Sequence, residues 1–412
     1  MSDKRVAISS KFRRVLFISV PVFVLTLLLS VAADRITGAF LDRNAAHEGL
    51  IFPPESTLKF QTPEFDFTVN INALGLRDRE FDLNKAGKTR IVAVGDSFTY
   101  GWGVAAEESW PKLLEARLRQ AGHDAEVVNL GQPGTSPAAY AVNVDKAIPV
   151  LKPDLVIVGI LQGEDLAQLG VEESLKSKAA ANDHAPSGVT SLRLRARVGH
   201  LARRMYPNFL RLLGGQTSLQ PPTALWKSQA EEIVEGFTSE EQSRFDKLDA
   251  GVRQAFLNGE LNPSLIQRTV SLPRYFLDTL DADKPEVRSM ISSMAASLAH
   301  IRETADRYGC EVIVVSIPHK VYASRRDLES CRRLGYELSP EMAESDSPDR
   351  AIESACRIAG VKFISVTDEF RKAAGATQLF YEMDGHYNPK GHQVFADLFT
   401  PLLLRQWHEG TL

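Results

Sequence analysis

Residues 91–97 read Ile91-Val92-Ala93-Val94-Gly95-Asp96-Ser97, an unbroken apolar run that stops at a glycine and delivers a serine. A continuous apolar run of this length is the pattern of a strand covered on both faces of a parallel sheet. Helical spacing follows from Glu107, with Trp110, Leu113, Leu114, Arg117 and Leu118 in register. A strand that feeds a serine into a tight turn at a helix entrance is how α/β enzymes expose a nucleophile. The carboxyl end of a strand is also where open α/β sheets place their sites.

Working outward, residues 90–94 are the first strand of a main sheet and 125–130 the second. The turn Gly131-Gln132-Pro133-Gly134 and a helix over 137–150 come next. Further strands are expected at 155–160, 312–317 and 361–366. A last helix should follow Pro389, with a kink at Pro401. Strands separated by helices imply a parallel sheet with right-handed crossovers. Upstream, residues 50–85 read as a small β-rich segment, with a strand over 67–72 and then Gly75-Leu76-Arg77-Asp78.

Roughly 150 residues separate the third main strand from the fourth, where a crossover needs only about a dozen. Residues 167–285 are therefore expected to form a helical insertion, a cap on an α/β domain made of 86–166 and 286–408. Within the cap, Arg193, Arg195, Arg197, Arg203, Arg204 and Arg211 share a helical segment. They form either a solvated surface or a basic face toward a membrane surface or an acidic polysaccharide.

Residues 15–33 carry no charge, and Lys4, Arg5, Lys11, Arg13 and Arg14 precede them. As a helix this run spans roughly 28 Å, about the hydrocarbon thickness of a bilayer. The basic flank makes 1–14 a cytoplasmic tail and 15–33 a transmembrane anchor. Val31-Ala32-Ala33 also resembles a signal-peptide cleavage site, although the run exceeds the usual span of about 7–15 residues. On either reading the remainder is extracytoplasmic (periplasmic), at the cell membrane.

The hydrophobic fraction of 44% and charged fraction of 24% are ordinary for a globular protein. A formal net charge of −4 gives no basis for a nucleic-acid partner. Cys310, Cys331 and Cys356 lack metal-type spacing, and Cys331 could pair with Cys356 outside the cytoplasm. No glycine-rich phosphate loop or HExxH motif is present, so neither cofactor nor metal is expected.

Near the C-terminus stands Asp384-Gly385-His386-Tyr387-Asn388-Pro389-Lys390-Gly391-His392. A serine nucleophile needs a base, and the base needs a carboxylate to hold its tautomer. Asp384 and His386 are two apart, so on an extended segment their side chains leave the same side. One loop could supply both beside Ser97. His392 is the alternative base, but its place at the start of a helix suits a structural role.

Together these motifs resemble those of the SGNH (GDSL-like) hydrolases, particularly bacterial membrane-anchored members. Gly95 to Val104 resembles the first block, Asn129 to Gly134 the second, and Asp384 to His392 the last. Asn70 to Asp78 is similar to a segment that often precedes the first block in anchored members. The resemblance implies a flavodoxin-like three-layer α/β/α fold with a parallel sheet and metal-free acyl-ester chemistry. It also implies Ser97 as nucleophile, His386 as general base, Asp384 as its orienter, and an oxyanion hole from the backbone N–H groups of Ser97 and Gly134.

Two blocks depart from the pattern. Where the family usually has Gly-x-Asn-Asp, this chain has Gln162-Gly163-Glu164-Asp165. An ionised Glu164 cannot replace the Asn amide, a kind of contact worth about 2.7–4 kcal/mol. Three explanations stay open: the Gln162 amide swings into the hole, Glu164 is protonated and donates, or the site binds without cleaving. The Asp-x-His spacing is one residue shorter than in many members and is similar to that of polysaccharide O-acetylation relatives. The expected function is an extracytoplasmic serine esterase acting on small acyl esters, particularly O-acetylated carbohydrate. A polysaccharide O-acetyltransferase, or a non-catalytic glycan-binding or assembly component of an envelope system, are the alternatives.

Overall fold

Alternating burial shapes the first element. In a computed structural model, β1 (Thr57–Gln61) and β2 (Asp66–Asn70) pair antiparallel. Phe60, Phe67 and Val69 turn inward, and Lys59, Asp66 and Thr68 face out. The structure describes residues 49–182 and 223–408, together with 22, 26 and 29–35 near the N-terminus, but not the side chains of 176–182, 407 and 408.

The main unit then alternates strand and helix. It runs β3 (Thr89–Gly95), α1 (Ser97–Tyr100), α2 (Trp110–Gln120), β4 (Ala125–Gly131), α3 (Pro137–Leu151), β5 (Leu155–Leu161) and α4 (Glu164–Asn182). In the region expected to be a helical insertion lie α5 (Trp226–Glu235), α6 (Ser239–Asp246), α7 (Ala250–Leu257) and α8 (Pro263–Ser271). The chain continues through α9 (Pro285–Arg307), β6 (Glu311–Ile317), α10 (Arg325–Arg333), α11 (Ser347–Ala359), β7 (Lys362–Ile364), α12 (Thr367–Ala376) and α13 (Pro389–His408).

The five strands β4-β3-β5-β6-β7 are parallel throughout. This order places the topological switch beside β3, and the crevice at its carboxyl end is where ligands bind in such sheets. Side chains alternate across each strand, so both faces need a cover. Val92, Val94, Val156 and Val158 pack with residues of α3, α9 and α11 on one face. Ile91, Ala93, Ile157 and Val315 pack with α2, α12 and α13 on the other. The result is three layers.

Several sequence expectations change. β7 is shorter than 361–366 because the Ser365 hydroxyl donates to Asp349 Oδ2 (2.5 Å) and accepts the Thr367 N–H (3.1 Å), drawing the backbone out of the ladder. The expected insertion boundary at 167 falls inside α4, whose first turns pack in the sheet core through Leu166 and Leu169. α5–α8 have a core of their own that includes Phe245, Phe256, Ile266 and Val270, and Leu334 from beyond α10 completes it. Cys331 and Cys356 are not paired. Both are free and buried, Cys331 beside Tyr336 and Cys356 against the α9–α11 layer.

The described residues 49–182 and 223–408 belong to one compact unit. The tail at 1–14, most of the anchor at 15–33 and the arginine-rich segment at 193–211 lie outside the described residues. Among the described residues no helix is long and apolar enough to cross a membrane.

Candidate active site

β3 ends at Gly95, and the chain turns at once into α1, whose first residue is Ser97. Asp96 caps this turn, its Oδ1 accepting the Phe98 N–H at 2.9 Å. The Ser97 carbonyl accepts the N–H groups of Gly101 and Trp102 at 3.0 Å each. From behind, the fully buried Arg77 donates to the carbonyls of Tyr100 and Gly101 at 2.7 Å and of Val104 at 2.5 Å. Asn129 on β4 donates to the Thr99 carbonyl at 2.9 Å. A Cβ on Gly131 would collide with the Tyr100 backbone, so only glycine lets β4 approach this closely. The serine turn is thus fixed from three directions.

The second half arrives on the loop before α13. Phe380 and Tyr387 form an antiparallel bridge, and between them Gly385 takes φ +88°. This left-handed turn, rather than an extended segment, brings Asp384 and His386 together. His386 Nδ1 lies 2.5 Å from Asp384 Oδ1, and its Nε2 lies 2.8 Å from Ser97 Oγ. With Nδ1 donating to the carboxylate, Nε2 is the nitrogen that can accept the serine proton. Burial opposes the imidazolium, but the Asp384 carboxylate, backed by Asp96 and Glu164, outweighs it and holds His386 above its usual pKa.

Asp384 is itself held. Its Oδ2 accepts the Trp102 indole N–H at 3.3 Å. Glu64, in the β1–β2 turn, accepts the N–H groups of Met383 (3.0 Å) and Asp384 (2.7 Å). Ser97, His386 and Asp384 open onto a cavity of about 330 Å³ whose wall includes Gly134, Glu164, Arg268 and His319.

The other expected residues divide. Gly134 lies on the cavity wall with φ +73°. Gln162 does not reach the cavity, which corrects the expectation that its amide completes an oxyanion hole. It is 1% exposed, and its Nε2 donates to Asp349 (2.6 Å), Thr367 (2.8 Å) and Ser316 (3.2 Å). Being the residue after β5, it turns under the neighbouring strands instead. Glu164 does line the cavity, but as a carboxylate. Burial favours its neutral form, yet Arg268 and then His319 prevail and hold its pKa below the usual value. The protonated-acid account of Glu164 is therefore set aside. His392 is structural: its Nδ1 accepts the Trp110 N–H at 3.2 Å, and burial pushes its pKa down to about 3.

Sequence reasoning missed Glu64, Trp102, Arg268 and His319. His319 follows β6, stacks on Phe276 at 4.6 Å and accepts the Val321 N–H on Nδ1 at 3.2 Å. Its Nε2 lies 3.7 Å from Glu164, and burial lowers its pKa to about 4. Its position directly after a parallel strand was the available signal. Arg268 offered none, because its partner lies 104 positions away.

The family model for GDSL-like lipases/acylhydrolases matches residues 93–163, from β3 to just past β5. The chain is 28% identical over 97 residues to Esterase TesA of Pseudomonas aeruginosa, a stretch covering 24% of this chain and 44% of that protein. Among solved structures it is similar to the esterase EstA from Pseudoalteromonas sp., at 10% identity and a TM-score of 0.36, over 78% of this chain and 100% of that one. It is also similar to a catalytic mutant of the acetylxylan esterase Axe2 from Geobacillus stearothermophilus, at 11% identity and a TM-score of 0.36, over 76% and 93%. The family match is confined to residues 93–163, and the chain spans less than half the length of the esterase TesA that it matches.

Proposed function

We propose that the protein is a serine esterase that hydrolyses small acyl esters, acetyl esters of carbohydrate in particular, through Ser97, His386 and Asp384. The observation that carries this reading is the continuous chain from Asp384 Oδ1 through His386 to Ser97 Oγ, with links of 2.5 and 2.8 Å, at the wall of a cavity. Ser97 Oγ attacks the ester carbonyl carbon as His386 Nε2 takes the hydroxyl proton. The carbon–oxygen bond to the alcohol then breaks, and His386 returns the proton to the departing oxygen. Water repeats the sequence on the acyl-serine, releasing the acid and restoring Ser97.

The oxyanion would be held by the backbone N–H groups of Ser97 and Gly134. With Gln162 turned away and Glu164 ionised, neither adds a third donor. A small acyl group suits the modest cavity. The charge-free run at 15–33 supports a membrane anchor with the catalytic unit outside the cytoplasm. Alkaline extraction of membranes would release the protein if that reading is wrong.

Fluorophosphonate labelling of the purified chain tests the core of the proposal. Wild type should label, whereas Ser97→Ala should not and His386→Ala should slow by at least about a thousandfold. Label retained by Ser97→Ala would end the proposal. Acetate release from acetylated xylan, with and without free sugar as competing acceptor, then separates hydrolysis from transfer.

A further inference from the structure

The catalytic cavity contains a carboxylate where the chemistry develops negative charge. Glu164 is the first residue of α4, directly after the β5 turn, and it shares the cavity with Ser97, Gly134 and His386. An uncompensated anion there opposes the tetrahedral oxyanion. It also favours the charged form of the base, so fewer molecules hold the neutral His386 that the first step needs.

Compensation comes from outside the α/β sheet. Arg268 on α8 donates from Nη1 to Glu164 Oε1. Its guanidinium lies over the Tyr275 ring at 5.1 Å, and the Tyr275 hydroxyl in turn donates to the Glu164 carbonyl at 3.3 Å. Arg268 is thus seated on the Glu164 turn by an ion pair and an aromatic face together. Its side chain remains 29% exposed and that of Glu164 16%, so both border the space that substrate would enter.

The other groups facing Glu164 cannot substitute. His319, 3.7 Å away, is neutral near pH 7 because burial lowers its pKa to about 4. Asp96 and Asp165 are acids, and Tyr140, Tyr275 and Tyr336 are phenols raised by burial. Lys320 reaches the cavity but spends its ammonium on Ser330 (2.7 Å) and the carbonyls of Tyr381 (2.9 Å) and Glu382 (2.5 Å). His386 is the base itself.

We infer that Arg268 is a positioning residue for the reaction: carried into the site by the helical insertion, it neutralises Glu164 so that the oxyanion can form beside it. The inference rests on the proposed serine chemistry and adds a role for the insertion in that chemistry. Docking of α8 is then part of assembling the active site.

The test uses the full chain and two probes, a fluorophosphonate and p-nitrophenyl acetate, with rates measured across pH. Arg268→Gln should label roughly a hundredfold more slowly, and its acid limb should move to higher pH over the range in which Glu164, whose own pKa rises once Arg268 is gone, is ionised and acts on His386 unopposed. Arg268→Lys keeps the charge and should stay within about tenfold of wild type. The double variant Glu164→Gln/Arg268→Gln should recover at least about tenfold over the single one and return the limb to its wild-type position. A salt bridge that only docks α8 would change stability without moving the limb.

Wild-type rate and limb in Arg268→Gln overturn the inference, as does a folded double variant no faster than the single. Should Arg268→Gln fail to fold, the double variant decides alone, and labelling a hundredfold below wild type counts against the inference. An unlabelled wild type removes the serine reading and this one together, whereas slow labelling confined to Arg268→Gln bears on Arg268 only.

Discussion

His386 must be neutral to accept the Ser97 proton, so its pKa sets the acid limb of activity. Although burial disfavours its charged form, Asp384, Asp96 and Glu164 raise that pKa. Activity should therefore fall, as pH drops, at a higher pH than an ordinary histidine near 6.5 would give. Asp384→Asn removes the main anion, and should lower the limb while cutting kcat by on the order of 10³–10⁴. A kcat/KM profile with the limb unchanged in Asp384→Asn would contradict this. Asp96 titrates in the opposite sense for stability. Burial and then Glu164 raise its pKa, so its contribution is complete below the ordinary carboxylate range and is lost as pH rises through the raised folded value. Asp96→Asn should thus be no more stable than wild type near pH 4 and more stable at pH 8 in urea titrations. The meeting of Ser97, Asp384 and His386 was legible because each sits at a fixed offset from a strand, turn or helix start. Gln162 was misjudged because nearness in sequence to Glu164 does not say which way the residue after a strand turns. Arg268 and Glu64 act across long separations that no local pattern records.

Elements position these residues through contacts that periodicity does not encode. The β1–β2 hairpin looks peripheral, yet its Glu64 takes the N–H groups of both Met383 and Asp384. Glu64→Ala leaves those donors without an acceptor. It should lower kcat roughly tenfold through a looser Asp384–His386 pair, at a cost in stability of about 1–3 kcal/mol. Glu64→Gln, which keeps one acceptor, should recover part of both. Equal losses of kcat in the two variants would show that charge rather than loop position matters. The strands of the sheet were legible to within about one residue at their ends, because apolar runs covered on both faces leave little ambiguity. The short β7 was the exception. Its end is decided by the side-chain hydrogen bond of Ser365 to Asp349, a residue on α11, and by those between Ser365 and Thr367.

At the scale of the whole molecule, the insertion was visible only as excess length between two strands. Amphipathic helices state that one face is buried but not what buries it. Here the answer lies partly in the segment after α10, since Leu334 enters the core of α5–α8 and also borders the catalytic cavity. Leu334 is 2% exposed, so Leu334→Ala should cost about 2–4 kcal/mol by leaving a hole in that core. The loss should not spread evenly. The sheet draws on its own two apolar faces, whereas α5–α8 share a smaller cluster. Amide exchange in Leu334→Ala should therefore accelerate across residues 226–271 while β3, β5 and β6 keep their protection. Because α8 carries Arg268, the same loosening should slow fluorophosphonate labelling of Ser97 even though no catalytic group has changed. Uniform acceleration of exchange in the sheet as well as in α5–α8 would mean that the two cores unfold as one, and that the insertion cannot loosen on its own.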